Sequence, residues 1–104
     1  MSNPITLVAT VTVNPSARSA VEAALVEAVA STLDEPGCEQ YDLHRDARDP
    51  NRFLVLERWH DQASLDAHAA VVSFTALTAV LKDHATLQVT GCIPFSPSRQ
   101  EILR

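Results

Sequence analysis

Glycine is nearly missing from this chain, with only Gly37 and Gly91 among 104 residues. Phosphate-cradling loops need several closely spaced glycines so that backbone N–H groups can approach the ligand, so a nucleotide cofactor held in that way is not expected. Cysteine is also scarce. Cys38 and Cys92 form no CxxC, and His44, His60, His68 and His84 show no HxxxH ligand pair, which leaves a structural zinc site without its donors. No metal and no classical nucleotide cofactor are expected. No serine elbow or comparable nucleophile motif occurs either.

Positive charge is thin as well. Eight basic against 13 acidic residues give a net charge of −5, and the basic side chains are scattered singly, unlike the footprint of a phosphate-backbone binder. Nucleic acid is not an expected partner. No run approaches the roughly 18 apolar residues of a membrane-spanning helix, and MSNPITLVATVTV has no signal-type organisation, so no membrane and a cytoplasmic location are expected. There the two cysteines stay free thiols. Asn14-Pro15-Ser16 fails as a glycosylation acceptor because of its proline.

What the chain does have is a hydrophobic content of 46%, without repeats or low-complexity runs. That length and content suit one globular domain. Residues 5 to 13 alternate as a strand, with Ile5, Leu7, Ala9, Val11 and Val13 on one face and Thr6, Val8, Thr10 and Thr12 on the other. Asn14-Pro15-Ser16 starts a helix whose stripe of Val21, Ala24, Leu25, Ala28 and Val29 runs to about Leu33 before Pro36-Gly37 stops it. Residues 38 to 45 and 52 to 59 form a hairpin around the polar DARDPN turn. Asp61 caps a helix with Leu65, His68, Ala69 and Val72 inward, and a second helical stretch follows from Ser73 with Phe74, Leu77, Val80 and Leu81. Residues 86 to 93 are strand-like, and 94 to 104 form a proline-bounded tail.

The order β-α-β-β-α-α-β predicts an α+β fold of ferredoxin-like type, an antiparallel sheet with helices on one face. The second and fourth strands then take opposite edges, which separates Cys38 from Cys92. The other sheet face, uncharged on the first strand, calls for a cover, and a homodimer packed sheet to sheet is expected.

Several segments together resemble a known family: EPGCEQYDLHRD at 35 to 46, DPNRF at 49 to 53, ERW at 57 to 59, SLDAH at 64 to 68, and Phe74. Over nearly the whole chain it is similar to the antibiotic biosynthesis monooxygenase domain family of small dimeric α+β barrel proteins, which includes quinol monooxygenase-like proteins. The resemblance implies a ferredoxin-like protomer pairing into a dimeric barrel, with a pocket between sheet and helices. It also implies oxygenation of quinol-type or polyphenolic aromatic compounds by O2 with neither metal nor flavin. The haem-degrading branch carries a histidine where this chain has Thr78 and a tryptophan where it has His68, so haem breakdown is disfavoured. His84 is the one alternative histidine.

His68 is the candidate base. Oxygenation without a cofactor requires the substrate hydroxyl to lose its proton, and an imidazole with an ordinary pKa near ~6.5 accepts one at neutral pH. The competing reading is a structural histidine bonded to a neighbouring group. Trp59, Phe74, Leu65 and Val72 are the expected substrate-contacting residues. Glu57 shares the face of Trp59, and an ion pair with Arg45 or Arg58 is its expected role, with orientation of a histidine as the alternative. Tyr41 and His44 fall on opposite strand faces, so one at most meets the pocket. His60 and His84 suit exposed positions. Two other functions stay open on this scaffold: a non-catalytic or stress-related ligand-binding dimer, and an isomerase or cyclase of aromatic compounds.

Overall fold

A computed structural model describes residues 3–95 of the chain. Its elements run β1 (Ile5–Val13), a 3-10 turn (Pro15–Ala17), α1 (Arg18–Leu33), β2 (Cys38–Arg45), β3 (Arg52–Trp59), α2 (Gln62–Ala70), α3 (Val72–Leu81) and β4 (Ala85–Cys92). The strands form one antiparallel sheet in the order β2-β3-β1-β4. This is the expected α+β, ferredoxin-like arrangement, with β2 and β4 at the edges and both cysteines free. Of the expected tail, residues 96 to 104 lie outside the described residues. Among the described residues no single helix is long and apolar enough to cross a membrane.

Alternation decides which face of β1 meets the helices. Val11 and Val13 are buried against α1 and α3 and Ala9 is buried on the same face, while Thr6, Val8, Thr10 and Thr12 lie half-buried on the opposite face. Val11, Val13, Val21, Leu25, Phe53, Leu77 and Leu81 form the main core. Each such side chain contributes about 1.5–3 kcal/mol by leaving water. A second cluster of Ala9, Tyr41, Val55 and Trp59 lies toward the α2 end of the sheet.

Loops fix the parts that meet there. In the hairpin turn, Asp46 Oδ1 accepts from the backbone N–H groups of Arg48 (2.8 Å) and Asp49 (3.2 Å), the local bonding that favours aspartate in turns. Asn14 caps the 3-10 turn rather than α1 itself. After α1, Gly37 takes φ +83°, and the His60 N–H donates to its carbonyl at 2.8 Å. A Cβ at Gly37 would collide with the Ser64 side chain, so the α1–β2 loop lies directly beneath the start of α2.

Asp61 caps α2 by accepting from the Ser64 N–H at 2.8 Å. Val71, extended at φ −76° and ψ 152°, separates α2 from α3, and the two axes bend by 65°. The bend corrects one expectation. Val72 does not continue the inward stripe of α2: it opens α3 and is 82% exposed.

Candidate active site

Sheet and helices enclose a cavity of about 260 Å³. β3 supplies Val55 and Glu57, α2 supplies Leu65 and His68, and α3 supplies Phe74. Apart from Glu57 and His68, the polar residues bordering it are Tyr41 and Thr78. Leu87 and Val89 of β4 border it too, yet are 44% and 53% exposed, so the cavity opens toward the β4 edge of the sheet.

His68 is 3% exposed. Its Nδ1 lies 3.0 Å from both carboxylate oxygens of Glu35, which comes from the loop beneath α2. Nε2 is enclosed and has no hydrogen-bond partner among the described residues. Three aromatic rings set the plane of the imidazole. Trp59 and Phe74 each have ring centroids 4.6 Å away, and Tyr41 meets it edge-on at 5.9 Å. In the neutral tautomer that donates Nδ1–H to Glu35, the ring's lone pair lies on Nε2.

Glu57 is 6% exposed, and its Oε1 accepts from the Trp59 indole N–H at 3.0 Å. Burial raises its pKa above the usual carboxylate range, against the opposing pulls of the Trp59 N–H and nearby His68, and the Glu35 charge adds to the rise. Burial, then the Glu57 charge, also holds the Tyr41 phenol far above its ordinary value, so Tyr41 stays neutral.

The structure brings Leu65, His68 and Phe74 to the cavity wall. Trp59 was expected to touch substrate; it is fully buried behind His68 and Glu57 and supports both. Val72 points to solvent and does not border the cavity. The expected ion pair of Glu57 is also corrected, because Arg45 pairs with Glu22 and Arg58 with Glu39 at 3.0 Å. Tyr41 faces inward and His44 outward. His60 is exposed beside Glu39 (3.5 Å), and His84 is exposed near the end of α3. Among the described residues, no group of three or more His, Cys, Asp or Glu side chains is placed to hold a metal.

Glu35, the partner of His68, is the candidate-site residue that the sequence reading missed. A glutamate beside a helix-ending Pro-Gly reads as a surface acid, and nothing in the spacing links it to a histidine 33 residues away. The only signal was the mismatch between an inward histidine and the lack of a partner on its own helix.

The sequence profile of the antibiotic biosynthesis monooxygenase family matches residues 4–80. A Mycobacterium tuberculosis protein provisionally named a monooxygenase, Rv0793, is 35% identical over 68 residues, which is 65% of this chain and 66% of the relative, just under two thirds of its length. Its solved structure superposes with a TM-score of 0.84 at 28% identity, over 92% of this chain and 99% of that one. YcnE of Bacillus subtilis, also provisionally named a monooxygenase, is 30% identical over 79 residues, 76% of this chain and 83% of the relative. The crystal structure of PA3566 from Pseudomonas aeruginosa matches at a TM-score of 0.86 and 33% identity, over 92% of this chain and 98% of that one. These matches support a generic monooxygenase-like function. On its fold and its sequence, the chain belongs to the antibiotic biosynthesis monooxygenase family.

Proposed function

We propose that the protein is a cofactor-independent monooxygenase of quinol-type or polyphenolic aromatic compounds, using O2. The supporting observation is an apolar cavity bordered by His68, whose Nε2 has no partner among the described residues while Glu35 holds the other ring nitrogen. A phenolic ring entering past β4 packs against Phe74 and Leu65 and gives its O–H proton to Nε2. Glu35 stabilises the imidazolium that forms and keeps the ring from turning. The phenolate, held where few dipoles solvate it, passes one electron to O2, and the two radicals combine at a ring carbon. The peroxide so formed takes back the proton held by His68, and loss of water from the hydroperoxide leaves a quinone, so a phenol or hydroquinone with a free C–H ortho or para to its hydroxyl and one O2 become a quinone or hydroxyquinone and one water. Apolar walls exclude the competing solvent.

The protein acts as a homodimer in this reading. The outer sheet face pairs Val8 with Leu56 and Thr10 with Leu54, an uncharged centre that a second copy covers sheet to sheet. Sedimentation at the monomer mass at micromolar concentration would contradict the dimer. The function is tested by O2 uptake over hydroquinones and polycyclic phenols after chelation, comparing wild type with His68→Ala. Turnover that survives chelation and collapses in the variant supports the reading. No turnover above background across the panel would leave a ligand-binding dimer in its place.

A further inference from the structure

The oxygenation scheme gives Glu57 no part, yet Glu57 is a buried carboxyl group on the cavity wall. One of its oxygens is committed to the Trp59 N–H, which leaves Oε2 for whatever the cavity holds. His68, whose enclosed Nε2 has no partner among the described residues, and Glu57, whose Oε2 is uncommitted, therefore border one small, mostly apolar space from α2 and β3. A lone pair and a carboxyl oxygen in such a space match a ligand with a proton to give at one atom and an oxygen to protonate at another. The volume, about 260 Å³, lies just under the ordinary range for drug-sized ligands and suits one or two fused rings.

We propose that Glu57 is the proton donor of this site and that, with His68, it makes the cavity a keto–enol isomerisation site for small ring ketones, a reaction that needs no O2. Nε2 takes a proton from the carbon beside the carbonyl. That C–H bond breaks, and its electron pair becomes the enol C=C. The carbonyl π pair moves to oxygen, which takes the proton from Glu57 Oε2. The products are the enol, an imidazolium and a carboxylate, and passage of one proton from His68 to Glu57 restores the starting site. Neither oxidant nor reductant is consumed. Burial displaces the Glu57 pKa upward, which favours its protonated form, and the ionisable groups around it are Glu35, Cys38, Tyr41 and His68. The inference rests on the same reading of His68 as base and deepens it, since loss of a carbon-bound proton also yields an anion able to react with O2.

The probe is 2-tetralone, whose hydrogens between ring and carbonyl exchange in D2O and are followed by proton NMR in deaerated buffer. Wild type should accelerate exchange, and Glu57→Gln, which keeps an oxygen for the Trp59 N–H but has no proton to transfer, should lose about 10- to 100-fold of that acceleration. Fluorescence of the only tryptophan, Trp59, reads binding and folding of both proteins. No acceleration by wild type, or an unchanged rate in Glu57→Gln, would overturn the proposal. Should the variant not fold, the wild-type pH profile decides. A bell, with loss at both low and high pH, supports a base and an acid acting together, and a rate that only rises with pH overturns the inference. Exchange without phenol-driven O2 uptake would sink the oxygenase and leave this site standing. O2 uptake without exchange would do the reverse.

Discussion

Glu35 and His68, 33 residues apart in sequence, meet through a carboxylate whose two oxygens both lie 3.0 Å from the imidazole Nδ1. The contact is largely shielded from water, with side-chain exposures of 13% and 4%. Low local dielectric makes such a pair directional, and the remaining ring nitrogen inherits a defined role.

Glu35→Gln should therefore lower turnover roughly 10- to 100-fold, a loss typical when the partner that orients a functional histidine is removed. Glu35 does not border the cavity, so KM should move much less than kcat. Steady-state O2 uptake checks this, and an equal rise in KM with kcat unchanged would point to a purely structural contact.

Glu57→Gln should change how stability depends on pH. Burial raises the folded-state pKa of Glu57 above its unfolded value, so its stabilising contribution is complete below the unfolded value, about 4.3, and is lost as pH rises through the folded value. The variant lacks that loss. Urea melts of both proteins at pH 4 and pH 8 should show wild type losing more stability over the interval than the variant.

Trp59 is fully buried, packs against His68 with its ring tilted by 35° and donates to Glu57. Trp59→Ala should cost about 3–5 kcal/mol of folding stability. Trp59→Phe keeps most of the packing but removes the N–H from Glu57, and should cost about 1–3 kcal/mol. Denaturant midpoints at one pH rank the two.

Gly37→Ala should destabilise the protein by roughly 2 kcal/mol or more, combining a left-handed backbone with a collision against Ser64. Because this loop carries Glu35, the folded fraction should also turn over more slowly. Thermal melts and turnover per folded molecule separate the two effects.

Val72 and Phe74 are two residues apart and should behave oppositely. Val72→Lys, at an 82% exposed position, should alter stability by no more than about 0.5 kcal/mol and leave turnover unchanged. Phe74→Ala opens the cavity wall beside His68 and should weaken binding of an aromatic ligand at least several-fold. Denaturant melts and O2 uptake check the first, and ligand titration of Trp59 fluorescence the second.

Much of this was legible before any coordinates. Alternation in β1 and β3, helical spacing in α1, the Asp61 cap and the Pro36-Gly37 stop are local signals, and each element follows from them. The helix-facing position of His68 was legible from the same periodicity, as was the shared face of Glu57 and Trp59. Val72 was misplaced because the helical pattern runs smoothly through Val71, and only its extended backbone reveals the bend between α2 and α3.

The sequence by itself determined the element order, the inward stripes and hence the antiparallel α+β sheet, because hydrophobic periodicity and capping act over a few residues. Only the tertiary structure decided that Glu35 serves His68, that Glu57 turns to Trp59 and the cavity rather than to an arginine, and that Trp59 stands behind the site. Those pairings depend on how a loop, a strand and a helix are placed against one another in space, and a side chain's burial and partners are set by that packing rather than by its neighbours in the chain.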